Sequence, residues 1–500
     1  MASQCHTQHI RDKTMPIKQT PVWADIFKSP LPLNKGSSFY SLENPVDAFA
    51  ARLYLIDHAT ASIDVQYYIY KNDKTAAELS YHLIKAAERG VKVRMLVDDL
   101  TTSIRDKDVA LLAAHPNIDV KLFNPNRIRG TFRNMALLLD VSKLGKRMHN
   151  KVFIVDRYAA ILGGRNIGDE YFAMSKDIDF LDYEILVMGK VLAKIYRIFD
   201  IYWNSPLSHF YEEIIKSDVS DKAYKRSVKK ITEYHHAFAN TRLAKKLPFS
   251  RFTHKVEVAH VTLYPAKMTS LYFDLPQKVV SDPNDIETHL SKSLKNALDS
   301  TKKEVIVISP YFIPSPMMME TFKKLRAKDI KVTVITNSMA STDVTAVYSG
   351  YKTYINPLLK MGVALYEFKA QQNEAIEKKY FKFNRLSLHT KMIIIDSDIL
   401  LVGSANLDPR SDKLNTEILM LIKQSQLIGH IKSKIKKIMD RKHLYRLSLM
   451  KLSEHSKRMC IVWESQEDGK IKRYKMVPKA GLFRRIGVYL FSLLPIEGYL

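Results

Sequence analysis

The sequence predicts an α/β protein of two similar lobes, each built on a mixed, largely parallel sheet. Three observations predict it. An eight-residue signature occurs twice, 240 residues apart. Each copy is preceded by the same order of apolar strand, helix and apolar strand. A chain of 500 residues with 46% hydrophobic content has room for two ordinary cores and excludes wholesale disorder.

Taken in order, Ser62–Tyr70 reads as a buried strand, a helix runs on through Glu88, and Val91–Asp98 is the next strand. The second half repeats the series with a strand at Glu304–Phe312, a helix to about Lys328 and a strand at Ile330–Asn337. Each signature then falls on a later strand of its lobe. The organisation that follows is a loosely ordered tail over residues 1–35, a first lobe over 36–205, a basic helical linker over 206–255, a second lobe over 256–430 and a basic C-terminal segment over 431–500.

The first signature is His149, Lys151, four apolar residues and Asp156; the second is His389, Lys391, four apolar residues and Asp396. Six residues further on, each reaches a small-residue turn and an asparagine: Gly163, Gly164 and Asn166 in one, Gly403, Ser404 and Asn406 in the other. In an extended strand, alternate side chains face the same way, so each His points with its Lys. The apolar run behind them continues the strand into the core. Lysine is a compact cation suited to a phosphate oxygen, and an imidazole attacks phosphorus or moves a proton near neutral pH. One copy supplies half of a phosphodiester site. Two copies facing each other supply a nucleophile, a general acid and two cations, with Asn166 and Asn406 as neutral donors. With lysines meeting the phosphoryl oxygens, neither a metal nor another cofactor is expected.

A second repeated feature follows each signature: Asp182 and Glu184 stand before one apolar strand, and Asn415 and Glu417 before the other. Matching the two runs aligns Glu184 with Glu417 as carboxylates placed to orient an imidazole, with Asp182 the competing candidate in the first lobe. Asp156 and Asp396 belong to the motif, either at the substrate or as ion-pair partners behind the lysines.

Composition bounds the partners. The net charge of +26 predicts attraction to polyanions, anionic lipid head groups or nucleic acid. The two cysteines, Cys5 and Cys460, give no disulfide framework and no zinc spacing. His235, His236, His254 and His260 cluster along the linker, but their spacing fits no standard ligand set, so no metal is expected there. No apolar stretch reaches the roughly 18 residues of a membrane-spanning helix, and the polar N-terminus has no apolar core for a secretory signal. The basic run from Lys432 to Arg446 reads as a solvated helix face. The segment Leu482–Leu494, basic at its start and apolar after, suits either a bilayer surface or a terminal helix packed on the core.

The doubled His-x-Lys-x4-Asp-x6-Gly-Gly/Ser-x-Asn pattern resembles the phospholipase D superfamily. Its surroundings resemble bacterial cardiolipin synthases, most nearly the C-type, over Ile63–Ile69, Arg89–Arg94, Arg147–Lys151, Gly163–Tyr171, Ser309–Phe312, Thr336–Asp343, Val402–Ser411 and Leu494–Glu497. The resemblance runs from about residue 36 onward. It implies two α/β lobes packed as an intramolecular pseudo-dimer with one active site between them. It further implies a phosphohistidine on His149 and an acid/base role for His389. The activity implied is phosphatidyl transfer between phospholipids, anionic or zwitterionic, to form cardiolipin at the bacterial cytoplasmic membrane. The alternatives are a phospholipase D hydrolase releasing phosphatidic acid and, ranked below it, a nuclease of the same superfamily. Nucleic acid is not the expected partner, since the close match is to lipid enzymes and no DNA-reading module is present. The chain departs from the other bacterial type of cardiolipin synthase in having no transmembrane helices, so lipid is to be reached peripherally. Its linker is unusually rich in lysine.

Overall fold

A computed structural model describes residues 20–494, except 31, 100–111, 127–144, 215–220, 284–289, 371–384, 453–455 and 457, together with residue 498. Most of the tail and the residues 495–497 therefore lie outside the described residues.

In the first lobe the helix α1 (Pro45–His58) starts where the Asn44 side chain accepts from the Val46 and Asp47 N–H groups and Pro45 needs no donor partner. Strand β1 (Ser62–Tyr67) follows, then α2 (Lys74–Glu88), capped by Asp73. Next come β2 (Lys92–Asp98), β3 (Ile118–Phe123), β4 (Val152–Val155), β5 (Ala159–Gly163) and β6 (Glu184–Gly189). The linker contributes α3 (Asp221–Phe238), which packs on α2. The second lobe repeats the strands as β7 (Glu304–Ile308), β8 (Lys331–Asn337), β9 (Ala364–Phe368), β10 (Met392–Ile395), β11 (Ile399–Gly403) and β12 (Ile418–Lys423), with helix α4 (Thr345–Lys360) between β8 and β9. Helix α5 (Leu482–Ser492) packs on α4.

The two sheets have the same internal order: β3-β2-β1-β4-β5-β6 and β9-β8-β7-β10-β11-β12. Each is mixed. Strands β1, β2 and β3 pair in parallel, as do β7, β8 and β9. The rest pair antiparallel, including β4 with β5 and β10 with β11. The antiparallel share is larger than the strand–helix alternation implies, because β4–β5 and β10–β11 turn straight back as tight hairpins that need no helix. Residues that the sequence divides differently also join these sheets. Tyr264–Ala266 adds an edge strand to the first sheet, and Leu444–Lys451, Met459–Glu467 and Lys470–Tyr474 extend the second. The segment read as a loose tail is anchored where it is described: Trp23 and Phe27 are buried, and Phe27–Lys28 pairs with Val261–Thr262.

The four-residue apolar runs of the signatures are buried on both faces. Val152 and Ile154 join Met392 and Ile394 in one cluster shared by the two sheets, while Phe153 and Val155 face the first lobe's own core, and Ile393 and Ile395 the second's. The lobes are therefore joined through their sheets, by the alternate residues of the strands that carry the signatures. No helix among the described residues is long and apolar enough to cross a membrane.

Candidate active site

The site forms where β4 and β10 begin, and the two lobes build it by the same construction. At the end of β2, Asp98 accepts from the Met148 N–H; at the matching end of β8, Asn337 accepts from the Leu388 N–H. Each signature is thus held one residue ahead of its histidine. Asp98 also receives the buried guanidinium of Arg147 at 2.9 Å.

Backbone bonds then cross between the lobes. The His149 N–H donates to the Thr416 carbonyl at 2.9 Å, and the Thr416 N–H donates to the Arg147 carbonyl at 2.9 Å. In the other half the His389 N–H donates to the Leu181 carbonyl at 2.8 Å, where Ile178–Leu181 and Arg385–Leu388 pair as a short parallel ribbon. In both halves the residue after the carbonyl partner supplies the acid for the ring. His149 Nδ1 lies 2.9 Å from both carboxylate oxygens of Glu417, and His389 Nδ1 lies 2.6 Å from Asp182 Oδ2. Each ring is oriented by the opposite lobe.

The first-lobe acid is therefore Asp182, and Glu184 does not orient a histidine. Glu184 is buried against Arg52 and Arg165 inside its own lobe. Sheet register gives the reason. Gly163 stands opposite Glu184 and Gly403 opposite Leu419, so Glu184 matches Leu419 and Asp182 matches Glu417. A two-residue slip preserves which side of a strand each residue faces, so hydrophobic pattern alone does not detect it.

Asp156 and Asp396 stand apart from the histidines, at the far ends of β4 and β10, at positive φ in the hairpin turns. Neither pairs with a signature lysine. Asp156 accepts from the N–H groups of Thr60, Ala61 and Ser62 and from Trp23 Nε1 at 2.9 Å. Asp396 accepts from the N–H groups of Lys302, Lys303 and Glu304. Both clamp the loop that opens the neighbouring parallel strand. An aspartate does this well because its oxygens collect several backbone donors at once.

The remaining expected residues lie beside the rings. Lys151 and Lys391 each donate from Nζ to the carbonyl of their own signature histidine at 2.6 Å. Ser404 donates to Glu417, and Ser411 does so at 2.7 Å. The Asn166 side chain accepts from the Ile69 N–H and donates to the Tyr171 hydroxyl at 2.8 Å. Asn406 is buried and its Oδ1 has no hydrogen-bond partner among the described residues.

Several contacts had no role assigned from sequence, although all but Phe180 sit in motif stretches. Tyr68 meets His149 edge-on at 4.7 Å, and Tyr171 and Phe180 flank His389 at 5.2 and 4.9 Å. Tyr311 lies over Lys391 and donates to Asp343 at 2.7 Å.

Burial, reinforced by Lys151, Lys391 and His389, holds the His149 ring well below the ordinary histidine pKa. Burial and Lys391 also lower His389, but Asp182 opposes them. Burial pushes the Asp182 carboxyl up, yet His389 and Lys391 outweigh it and leave Asp182 below the usual carboxylate range. Glu417 goes the other way: burial raises it against the pull of Lys151 and the two serines. Burial lowers Lys391 to about 8 and drives Lys151 well below the ordinary lysine value. Displaced titrations thus cluster around the two imidazoles, as burial and neighbouring charges produce at functional sites.

Residues 53–203 and 294–439 match the family model described as cardiolipin synthase, PLD-like domain. An uncharacterized protein of Helicobacter pylori is 36% identical over 90% of this chain and 87% of its own length. Cardiolipin synthase C of Escherichia coli is 32% identical over 92% of this chain and 95% of its own. Among solved structures, phosphatidylserine synthase of Haemophilus influenzae covers 94% of this chain and 98% of its own at a TM-score of 0.58 and 13% identity, a likeness of fold.

Proposed function

The chain belongs to the family of cardiolipin synthases with PLD-like domains, and on that premise we propose that it transfers a phosphatidyl group from one phospholipid to a hydroxyl of another, forming cardiolipin through a phosphohistidine on His149. The observation that carries this reading is the pair of imidazoles tied at Nδ1 to carboxylates of the opposite lobe. A carboxylate accepts, so each Nδ1 carries the hydrogen and each Nε2 is left as the reacting nitrogen.

The electrostatics support a division of labour. His149, held neutral, keeps the Nε2 lone pair that attacks phosphorus. His389, facing an ionised Asp182, is the ring better able to hold a second proton. In the first step the His149 Nε2–P bond forms, the P–O bond to the departing alcohol breaks, and that alkoxide takes the His389 Nε2 proton. In the second step the acceptor hydroxyl gives its proton back to His389, its oxygen bonds to phosphorus, and the His149 N–P bond breaks. Lys151 and Lys391 meet the charge on the phosphoryl oxygens, with the side-chain N–H groups of the buried Asn406 as a neutral donor.

Substrate arrives from a lipid surface, and α5 is the element suited to meet it. Leu482, Phe483, Ile486, Tyr489 and Leu490 are all exposed, while Val488 faces the core. The Arg484 guanidinium caps the Met339, Ala340 and Thr342 carbonyls, tying α5 to the loop that ends in Asp343 and so to Tyr311 beside Lys391. An apolar face adjoining the site, on a chain of charge +26, fits peripheral contact with an anionic membrane.

The test is a lipid product analysis with trapping. Vesicles of phosphatidylglycerol and phosphatidylethanolamine are incubated with wild type, His149→Ala and His389→Asn, and acid-labile phosphoryl label on protein is followed. The expected result is cardiolipin from wild type alone, with label on His149 in wild type quenched during turnover and no label in His149→Ala. Phosphatidic acid as the sole product would establish the hydrolase, which shares every residue named. Label on His389 would reverse the two roles.

A further inference from the structure

The linker histidines acquire partners that the linker sequence does not contain. His235 of α3 does not meet His236, His254 or His260 as a ligand set. It reaches across to α2, where Nδ1 lies 3.1 Å from both oxygens of Glu78. Four residues on from Glu78, and so on the same face of α2, His82 places Nε2 at 3.3 Å from Glu78 Oε1. The donor atoms of Glu78, His82 and His235 all lie within 4.8 Å of one another.

From this geometry we propose that the α2–α3 joint is a binding site for a divalent transition-metal ion of the zinc class, held by Glu78, His82 and His235. Two imidazoles and a carboxylate are a donor set that zinc takes, with a fourth position left for water. Bonds of about 2.0–2.2 Å to a tetrahedral ion place neighbouring donor atoms about 3.4 Å apart, and the 3.1 and 3.3 Å separations from Glu78 are close to that edge.

The surroundings orient these ligands as a metal site requires. His82 Nδ1 is 2.5 Å from Asp57 Oδ1, which fixes the tautomer and turns Nε2 toward the cluster. A carboxylate behind a metal-binding histidine serves this purpose. The His235 ring stacks on Tyr81 at 3.8 Å with 7° between the planes, which fixes its rotation. Glu78 is buried, its side chain only 4% exposed, while His82 and His235 are 16% and 33% exposed, so the anchoring carboxylate is sequestered and the site opens to solvent on its histidine side. The ion would pin the lysine-rich linker helix to the first lobe at a place the transfer chemistry does not use.

The test is metal binding by the full-length purified chain, stripped with chelator and titrated with Zn2+ alone by calorimetry. The expected result is one Zn2+ per chain and a rise in the melting temperature on adding it. His82→Gln and His235→Ala lose both effects, Asp57→Asn weakens binding by roughly 10- to 100-fold, and the double variant His254→Ala with His260→Ala binds like wild type. Circular dichroism of each variant separates loss of binding from loss of fold. Absence of stoichiometric Zn2+ in wild type would overturn the proposal and leave a hydrogen-bonded polar cluster only. Binding that survives in both His82→Gln and His235→Ala, or that is lost in the His254/His260 variant, would also overturn it by placing the ion elsewhere.

Discussion

The two half-sites share a histidine, a lysine and a cross-lobe backbone joint, yet they hold their imidazoles with different acids. Glu417 reaches His149 with the longer side chain and takes two further neutral donors, Ser404 and Ser411. Asp182 reaches His389 with the shorter one. Where the second lobe has Ser404 the first has Gly164, and a Cβ there would sit 2.3 Å from Asp182 Oδ1. One substitution in the repeated turn thus decides whether the neighbouring acid receives a hydroxyl or is given space. Asp182 stays ionised beside its histidine, whereas burial raises Glu417. On the proposed mechanism this difference matches the roles: His149 is lowered without a countering acid among its main causes, while Asp182 opposes the lowering of His389.

The largest effect expected follows from removing either ring. His149→Ala and His389→Ala should each lower lipid transfer by at least about 10³-fold. A phosphodiester with an activated leaving group sharpens the contrast, since it needs no proton: it should restore release of the first alcohol in His389→Ala and not in His149→Ala. Equal rescue of both would break the assigned division. Next come the acids. Asp182→Asn should cost about 10³–10⁴-fold in kcat, as loss of the ionised orienting carboxylate does in comparable triads. Glu417→Gln, which keeps an acceptor for Nδ1, should cost less, about 10²-fold; an equal loss would erase the distinction drawn between the halves. Gly164→Ala should reproduce most of the Asp182 defect by displacing that carboxylate, while Ser404→Ala should cost only about tenfold, one donor among several.

A smaller effect is set by pH. Burial lowers Lys391 to about 8, so its charge is present below that pH and lost as pH rises through it. The transfer rate should fall above pH of about 8, and Lys391→Arg, slower overall, should stay flat there because a guanidinium does not titrate. The smallest effect on catalysis belongs to the clamps. Asp156→Ala should lower stability by about 2–4 kcal/mol, read as a drop in thermal midpoint, with kcat per folded molecule unchanged. Asp396→Ala, with fewer donors and more exposure, should lose less stability.

The signatures, their strands and the doubling of the lobe were legible because each is written along a few consecutive residues. Apolar runs buried on both faces, a His and Lys on one side and a small-residue turn six residues later all follow from the two-residue period of a strand. Other features were not legible for identifiable reasons. Glu184 was matched to Glu417 because apolar pattern repeats every two residues, and only the pairing of β5 with β6 and of β11 with β12 reveals the slip that selects Asp182. Asp156 and Asp396 lie in the signature but serve its turn, because a residue at the far end of a buried strand cannot reach the chemistry at the near end. Trp23 sits in a stretch with no periodic pattern, and its indole N–H donates to Asp156, 133 residues away.

The sequence by itself determined the residue types of the signature, on which strands they lie and that they occur twice, since local spacing and strand geometry suffice for that. Only the tertiary structure decided which acid serves which histidine. Glu417 is 268 residues from His149 and Asp182 is 207 from His389, and each pair meets across lobes. Contacts at that separation leave no period in the chain: they depend on how two sheets bury their apolar faces against each other, an energy spread over the whole interface rather than written at any one residue.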